Sequence, residues 1–134
     1  MLTPQEILDK VVHHLKTDGR PSYVQEPGGP RCLYRGPNGT RCFVGALIPD
    51  ENYTPSLENL GVGCSIVLKS VGCDLEQVWL DGGGTFLCGL QPIHDSTIRN
   101  NNLSLERGEV TLIELVRPTL DALAKAHSLT INWE

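Results

Sequence analysis

The stretch Arg31-Cys32-Leu33-Tyr34-Arg35-Gly36-Pro37-Asn38-Gly39-Thr40-Arg41-Cys42-Phe43-Val44-Gly45-Ala46-Leu47-Ile48 carries most of what the sequence says about fold class. Two runs, 31–35 and 40–48, are strand-like in composition and flank the breaker cluster Gly36-Pro37-Asn38-Gly39, so they predict a β-hairpin. Pro37 cannot take a positive φ, which excludes a type I′ turn centred on Pro37-Asn38. A type I turn over Pro37-Asn38, with Gly39 left-handed, is expected instead. That register sets Tyr34 opposite Cys42 and Arg35 opposite Arg41. Cys32, Tyr34, Cys42 and Val44 then share one face, and Leu33, Arg35, Arg41 and Phe43 the other.

Outward from the hairpin, the N-terminal side opens with Thr3-Pro4-Gln5-Glu6, a capping box with proline at the first helical position. Leu2 and Ile7 are placed as a hydrophobic staple. Ile7, Leu8, Val11, Val12 and Leu15 follow helical spacing, and Gly19 stops the helix. Residues 20–30, rich in Pro and Gly, predict a loop. On the C-terminal side, Pro49-Asp50 ends the strand and Thr54-Pro55-Ser56-Leu57 starts a short helix closed by Gly61. Residues 64–71 fit helix or strand equally. Asp81-Gly82-Gly83-Gly84 reads as a loop, and Thr85 as the cap of a helix through Phe86, Leu87, Leu90, Ile93 and His94, kinked or split at Pro92. Residues 99–108 form a polar loop. The last helix runs from about Glu109 to His127, with Val116, Leu120, Leu123 and Ala124 inward and a break at Pro118. Residues 129–133 suit an edge strand. The expectation is an α+β fold, residues 1–134 as a single domain, with a small antiparallel sheet containing the 31–48 hairpin packed by N- and C-terminal helices.

The chain has 134 residues, a formal net charge of -5, and 40% hydrophobic against 20% charged residues. That balance is globular. It lacks the cationic excess of a nucleic-acid binder, so no direct nucleic-acid contact is expected. No apolar run reaches the roughly 18 residues of a membrane span, and the first residues lack a signal-peptide pattern. A cytoplasmic location is expected. The five cysteines, Cys32, Cys42, Cys64, Cys73 and Cys88, are odd in number and form no C-x-x-C pair. Reduced thiols in a reducing compartment are expected.

The string from Cys32 through Tyr53, which continues past Ile48 as Pro49-Asp50-Glu51-Asn52-Tyr53, and the later Leu90-Gln91-Pro92-Ile93-His94-Asp95 resemble a group of small proteins encoded by tailed phages and prophages. Members show a Cys-x-Tyr-Arg turn, then Cys-x-Val-Gly and Leu-Ile-Pro-Asp, followed by Leu-Gln-x-x-His-Asp and a C-terminal helix. The resemblance runs from Cys32 to about Leu129, and this chain departs from it at Phe43 and Pro92. It implies a phage origin and a bacterial host, and it implies no particular mechanism.

Three sets of residues carry candidate chemistry. Cys32 and Cys42, as same-face diagonal neighbours about 7–8 Å apart, suit two ligands of one metal better than a disulfide. His94 and Asp95 would complete a zinc site. The plainer expectation is two small thiols packed beneath Tyr34, with no cofactor. His94-Asp95 is a pair suited to proton transfer, with Cys42 as nucleophile. The plainer expectation is a histidine bonded to the hairpin backbone, with Asp95 capping the next turn. Arg35 and Arg41 repel across the hairpin unless solvent, a carboxylate such as Asp50 or Glu51, or an anionic ligand offsets them. His13 and His14 sit near the end of the first helix, where a cation suits the dipole, and carry no assigned chemistry.

These residues support three readings. The first is an intracellular binding protein, a counter-defence inhibitor that captures a host or defence protein or a small, nucleotide-like anion. Its binding surface would be Tyr34, Arg35, Arg41, Asp50, Tyr53, Gln91, His94 and Asp95, converging on one face. The second is a hydrolase or transferase using Cys42, His94 and Asp95. The third is a zinc-stabilised accessory protein with ligands among Cys32, Cys42 and His94. A homo-oligomer is compatible with each.

Overall fold

The computed structural model describes residues 2–62, 64–72 and 83–134, the last segment by backbone alone over 83–85. Cys73, and Asp81-Gly82 of the expected glycine loop, lie outside the described residues. Thr3 caps helix α1 (Pro4–Thr17): its hydroxyl accepts from the Glu6 N–H, and the Glu6 carboxylate accepts from the Thr3 N–H. Asp18 closes the helix and Gly19 follows with φ 68°. Ile7, Leu8, Val11, Val12 and Leu15 form its buried face.

The α+β class holds, with a two-stranded antiparallel sheet and five α-helices among the described residues. The hairpin, however, is not the expected 31–48 unit. Strands β1 (Tyr23–Glu26) and β2 (Gly29–Cys32) pair across Pro27-Gly28, inside the stretch read as a loop. Gly29 takes φ 126°, a conformation that the glycine-rich composition permits. Beyond β2, Arg35 and Arg41 make an isolated antiparallel bridge, so that pairing was read correctly. The turn between them is centred one residue later than expected. Asn38 (φ 60°) and Gly39 (φ 75°) are both left-handed, as a type I′ turn requires, and the Thr40 N–H donates to the Pro37 carbonyl at 3.2 Å.

After the bridge the chain turns helical. Helix α2 (Phe43–Leu47) replaces the second expected strand, because the Cys42 sulfur caps it by accepting from the Gly45 N–H at 3.3 Å. Gly45 also lies so close to the Tyr34 carbonyl that a Cβ would sit 1.8 Å from its oxygen. A 3-10 turn over Pro55–Asn59 follows, and helix α3 (Ser65–Val71) settles the 64–71 ambiguity.

Helix α4 (Gly83–Glu106) runs through Gly83-Gly84, Pro92 and most of the expected 99–108 loop without a break. Pro92 is tolerated because both it and Cys88, whose carbonyl loses its donor, are exposed. The Asn-rich end is held by Asn101 donating to the Thr97 carbonyl, Asn102 to Gln25, and Tyr23 to Glu106. Helix α5 (Leu112–Ala126) begins at a second capping box, Thr111 with Glu114, and also continues through its proline, Pro118. Residues 129–133 are not a strand. They are tied along α1 and α5 by two hydrogen bonds, the Gln5 amide donating to the Thr130 carbonyl and accepting from the Thr130 N–H, and by Trp133 donating to Asp121.

Helix α1 packs on α2 and α5, while α4 packs on α2, β2 and α5. The terminal helices therefore meet each other rather than cover a central sheet. The buried hydrophobic residues of these helices, Ile98 apart, form one cluster with Tyr34 and Cys42. No helix among the described residues is long and apolar enough to cross a membrane.

Candidate functional site

The eight expected binding residues divide between two cavities and a strut between them. The first cavity is a slot of about 310 Å³ between the segment after β2, the Glu58–Val62 loop and α4. Cys32, Tyr34, Gln91 and Asp95 line it. Behind the slot lies His94, 0% exposed and edge-on to Phe43 with centroids 5.3 Å apart. The Ser22 N–H donates to His94 Nε2 at 3.4 Å. That bond requires an unprotonated Nε2, so Nδ1 carries the proton of a neutral ring and donates to Asp95 Oδ1 at 2.9 Å. His94 thus binds backbone, but at Ser22 just before β1 rather than in the 31–48 hairpin of the plainer expectation, and Asp95, in mid-helix, holds His94 and Gln91 rather than capping a turn.

Gln91 joins this network from one turn earlier. Its amide oxygen accepts from the Val44 N–H at 3.1 Å, and its amide nitrogen donates to Asp95 Oδ1 at 3.0 Å. Cys32 Sγ lies within 4.8 Å of donor atoms of Asp95 and His94. Burial, then the Asp95 charge, pushes its thiol up to about 12. Cys42 does not join the group. It is fully buried, it caps α2, and burial pushes its thiol up to about 12. Among the described residues four cysteines are free: Cys32, Cys42, Cys64 and Cys88.

The strut contains Arg35, Asp50 and Tyr53. Asp50 Oδ1 receives Arg35 at 2.7 Å and Arg41 at 3.0 Å, which offsets the like charges of the bridge. Arg35 also donates to the Ile48 carbonyl at 2.6 Å and stacks on the Tyr53 ring at 4.8 Å. Glu58, which the sequence reading passed over, organises this corner. Its carboxylate accepts from the N–H groups of Tyr34 and Arg35 and from the Tyr53 hydroxyl at 2.8, 3.0 and 2.6 Å. Burial, with the hydrogen bond to Glu58 next, pushes the Tyr53 hydroxyl up to about 12.

The second cavity is an open recess of about 550 Å³ between α1 and the Gly39–Arg41 turn. Lys10, His13, His14 and Arg41 line it with Asp9 and Asp18. His14 is held by its Nε2, 3.0 Å from the Arg41 carbonyl, and burial pulls its pKa below the ordinary histidine value. The sequence carried a signal for this site: Asp9, Lys10, His13, His14 and Thr17 recur at helical spacing on the polar side of α1.

His94 and the hairpin do meet, yet the polar residues face two cavities rather than one surface. No known family model, curated protein or solved structure matches the chain at a significant level.

Proposed function

We propose that this chain is a small binding protein of the phage type, acting by stoichiometric capture of a small phosphate-bearing anion in the α1 recess. In a host cell such capture would remove a nucleotide signal, which is a counter-defence role. The observation that carries the reading is the balance of charge in the recess. Asp18 is offset by two guanidinium contacts from Arg20 at 2.6 and 3.2 Å, while Asp9, bonded at 2.8 Å to the neutral Gln5 amide, keeps its charge. The side chains of Lys10 and His13 make no hydrogen bond or ion pair among the described residues, and the Arg41 guanidinium is held only through exposed Asp50. A recess of about 550 Å³ is also of the size that small ligands occupy.

The hydrolase or transferase reading draws no support from the geometry. Its nucleophile, Cys42, is buried with a protonated thiol, and its base, His94, has both ring nitrogens engaged. The slot suits an anion poorly, because its lining includes the Asp95 and Glu58 carboxylates and, among the described residues, no lysine or arginine to offset them.

The test is a thermal-shift titration with inorganic phosphate, nucleoside mono- and triphosphates and cyclic dinucleotides. At least one should raise the melting temperature by mass action. The Lys10→Ala/Arg41→Ala double variant should lose that shift while melting within a few degrees of the parent. No shift from any phosphate compound, or a shift that the double variant retains, would remove the recess as the binding site.

A further inference from the structure

We infer that Cys32, His94 and Asp95 form a binding site for one zinc-class divalent cation, with its fourth coordination position open to the slot. This inference concerns the other cavity and stands independently of anion capture in the recess. One donor atom from each of the three side chains lies within 4.8 Å of the other two. Tetrahedral zinc with bonds of about 2.0–2.3 Å sets its ligands roughly 3–4 Å apart, so only small closure is needed. The donor set, one sulfur, one imidazole nitrogen and one carboxylate oxygen, selects zinc over magnesium or calcium. Three protein ligands with one open position is the arrangement of reactive rather than purely structural zinc sites. Here the open position has a direction. Cys32 and Asp95 line the slot, whereas His94 is sealed behind them.

The ligands are already oriented from outside, as metal sites require. Gln91 is fixed by Val44 and in turn holds the Asp95 carboxylate. Phe43 packs against the His94 ring. Cys32 is placed at the end of β2, which α4 packs against. Coordination changes the protons as follows. The Cys32 thiol gives its proton to solvent and binds as thiolate. The imidazole binds through Nδ1, and its proton moves to Nε2. The contact from the Ser22 N–H, long at 3.4 Å, is given up. The Asp95 carboxylate exchanges the Nδ1–H donor for the cation and keeps its bond from Gln91.

The experiment titrates the reduced, metal-free full chain with Co²⁺ and then Zn²⁺. One equivalent of Co²⁺ should give thiolate-to-metal charge-transfer absorption with the intense visible bands of a four-coordinate ion, and one equivalent of Zn²⁺ should abolish both. The His94 imidazole nitrogen signals should report a switch from the Nδ1–H to the Nε2–H tautomer on zinc binding. Cys32→Ser should eliminate the charge-transfer band, and Asp95→Asn should weaken zinc binding at least tenfold. Cys42→Ser should leave the spectrum unchanged. A weak six-coordinate cobalt spectrum overturns the proposal, as does charge transfer that survives Cys32→Ser or disappears in Cys42→Ser. The wild-type spectrum and tautomer decide the matter even where a variant fails to fold.

Discussion

The two cavities are built on opposite principles. The slot's polar side chains are rooted in the core: Asp95 is bonded to buried His94 and Gln91, and these in turn hold the backbone of Ser22 and Val44. The recess is made of side chains standing on the outer face of α1, with Lys10 and His13 exposed. A residue whose hydrogen bonds secure other segments cannot be removed without loosening them. A residue that ends in solvent can. Function and stability are therefore entangled in the slot and separable in the recess.

The joint between the two regions is α2, and its substitution should have the largest effect. Gly45 rests on the Tyr34 backbone, which borders the slot, while its neighbour Ala46 lines the recess. Gly45→Ala would force a Cβ to 1.8 Å from a carbonyl oxygen that cannot rotate away. The expected loss is about 3 kcal/mol or more, read by urea denaturation, with both cavities disturbed together. A loss below about 1 kcal/mol would mean that α2 can slide and that the cavities are not mechanically joined.

Glu58 comes next. Glu58→Ala leaves the N–H groups of Tyr34 and Arg35 without their acceptor and frees the Tyr53 hydroxyl. The expected cost is about 2 kcal/mol, and Glu58→Gln, which keeps an acceptor oxygen, should cost less. The variant should disturb the slot and leave ligand responses in the recess intact. Equal damage to both by ligand thermal shift would contradict the division.

The third contrast is Arg41→Ala against Gln91→Ala. Arg41 has an exposed partner, since Asp50 is 73% exposed at its side chain, and exposed ion pairs are worth about 1 kcal/mol or less. Gln91 leaves the buried Val44 N–H without an acceptor, so about 1–3 kcal/mol is expected there. If Arg41→Ala proves the more destabilising in matched denaturation curves, the recess is a structural corner rather than a peripheral site.

These contrasts follow the same line that separates what the sequence revealed from what it concealed. Helix α1 was readable because its signals are local: a capping box, a staple and a helical stripe. The second capping box, Thr111 with Glu114, was equally local and would have placed the start of α5 correctly. The strand-like run 43–48 was misread because its helix depends on contacts outside the periodicity, a thiol cap from Cys42 and the seating of Gly45 on Tyr34. The asparagine run in α4 was read as loop because its propensity is poor, and bonds from β1 and the helix's own earlier turn hold it. At the site, the grouping of Cys32 with His94 and Asp95 was legible, while the place of Cys42 and the division of the other polar residues between two cavities were not. Cys42 turns away to cap α2, and Glu58 gave little sequence signal because two of its three partners are backbone amides.

The smallest effect, a pH dependence, tests the recess wall alone. Burial lowers the folded-state pKa of His14, an effect that outweighs the opposing hydrogen bond to the Arg41 carbonyl. The unfolded chain therefore binds a proton more readily than the folded one as pH falls through the ordinary histidine value of about 6.5. The stability contributed by neutral His14 is complete above that value. It declines as pH drops below it and levels off once the folded-state pKa has been passed. Asp18 and Glu6 titrate lower, since Arg20 holds the first below the usual carboxylate range and the Thr3 cap does so for the second. Between about pH 7.5 and pH 5.5 the slope should thus carry a His14 component, and His14→Gln, which keeps an N–H for the Arg41 carbonyl, should flatten it. Urea midpoints across that window decide it. A slope unchanged by His14→Gln would show that α1 is not tied to the Gly39–Arg41 turn through His14, and the recess would then lack the fixed wall on which the proposed anion capture depends.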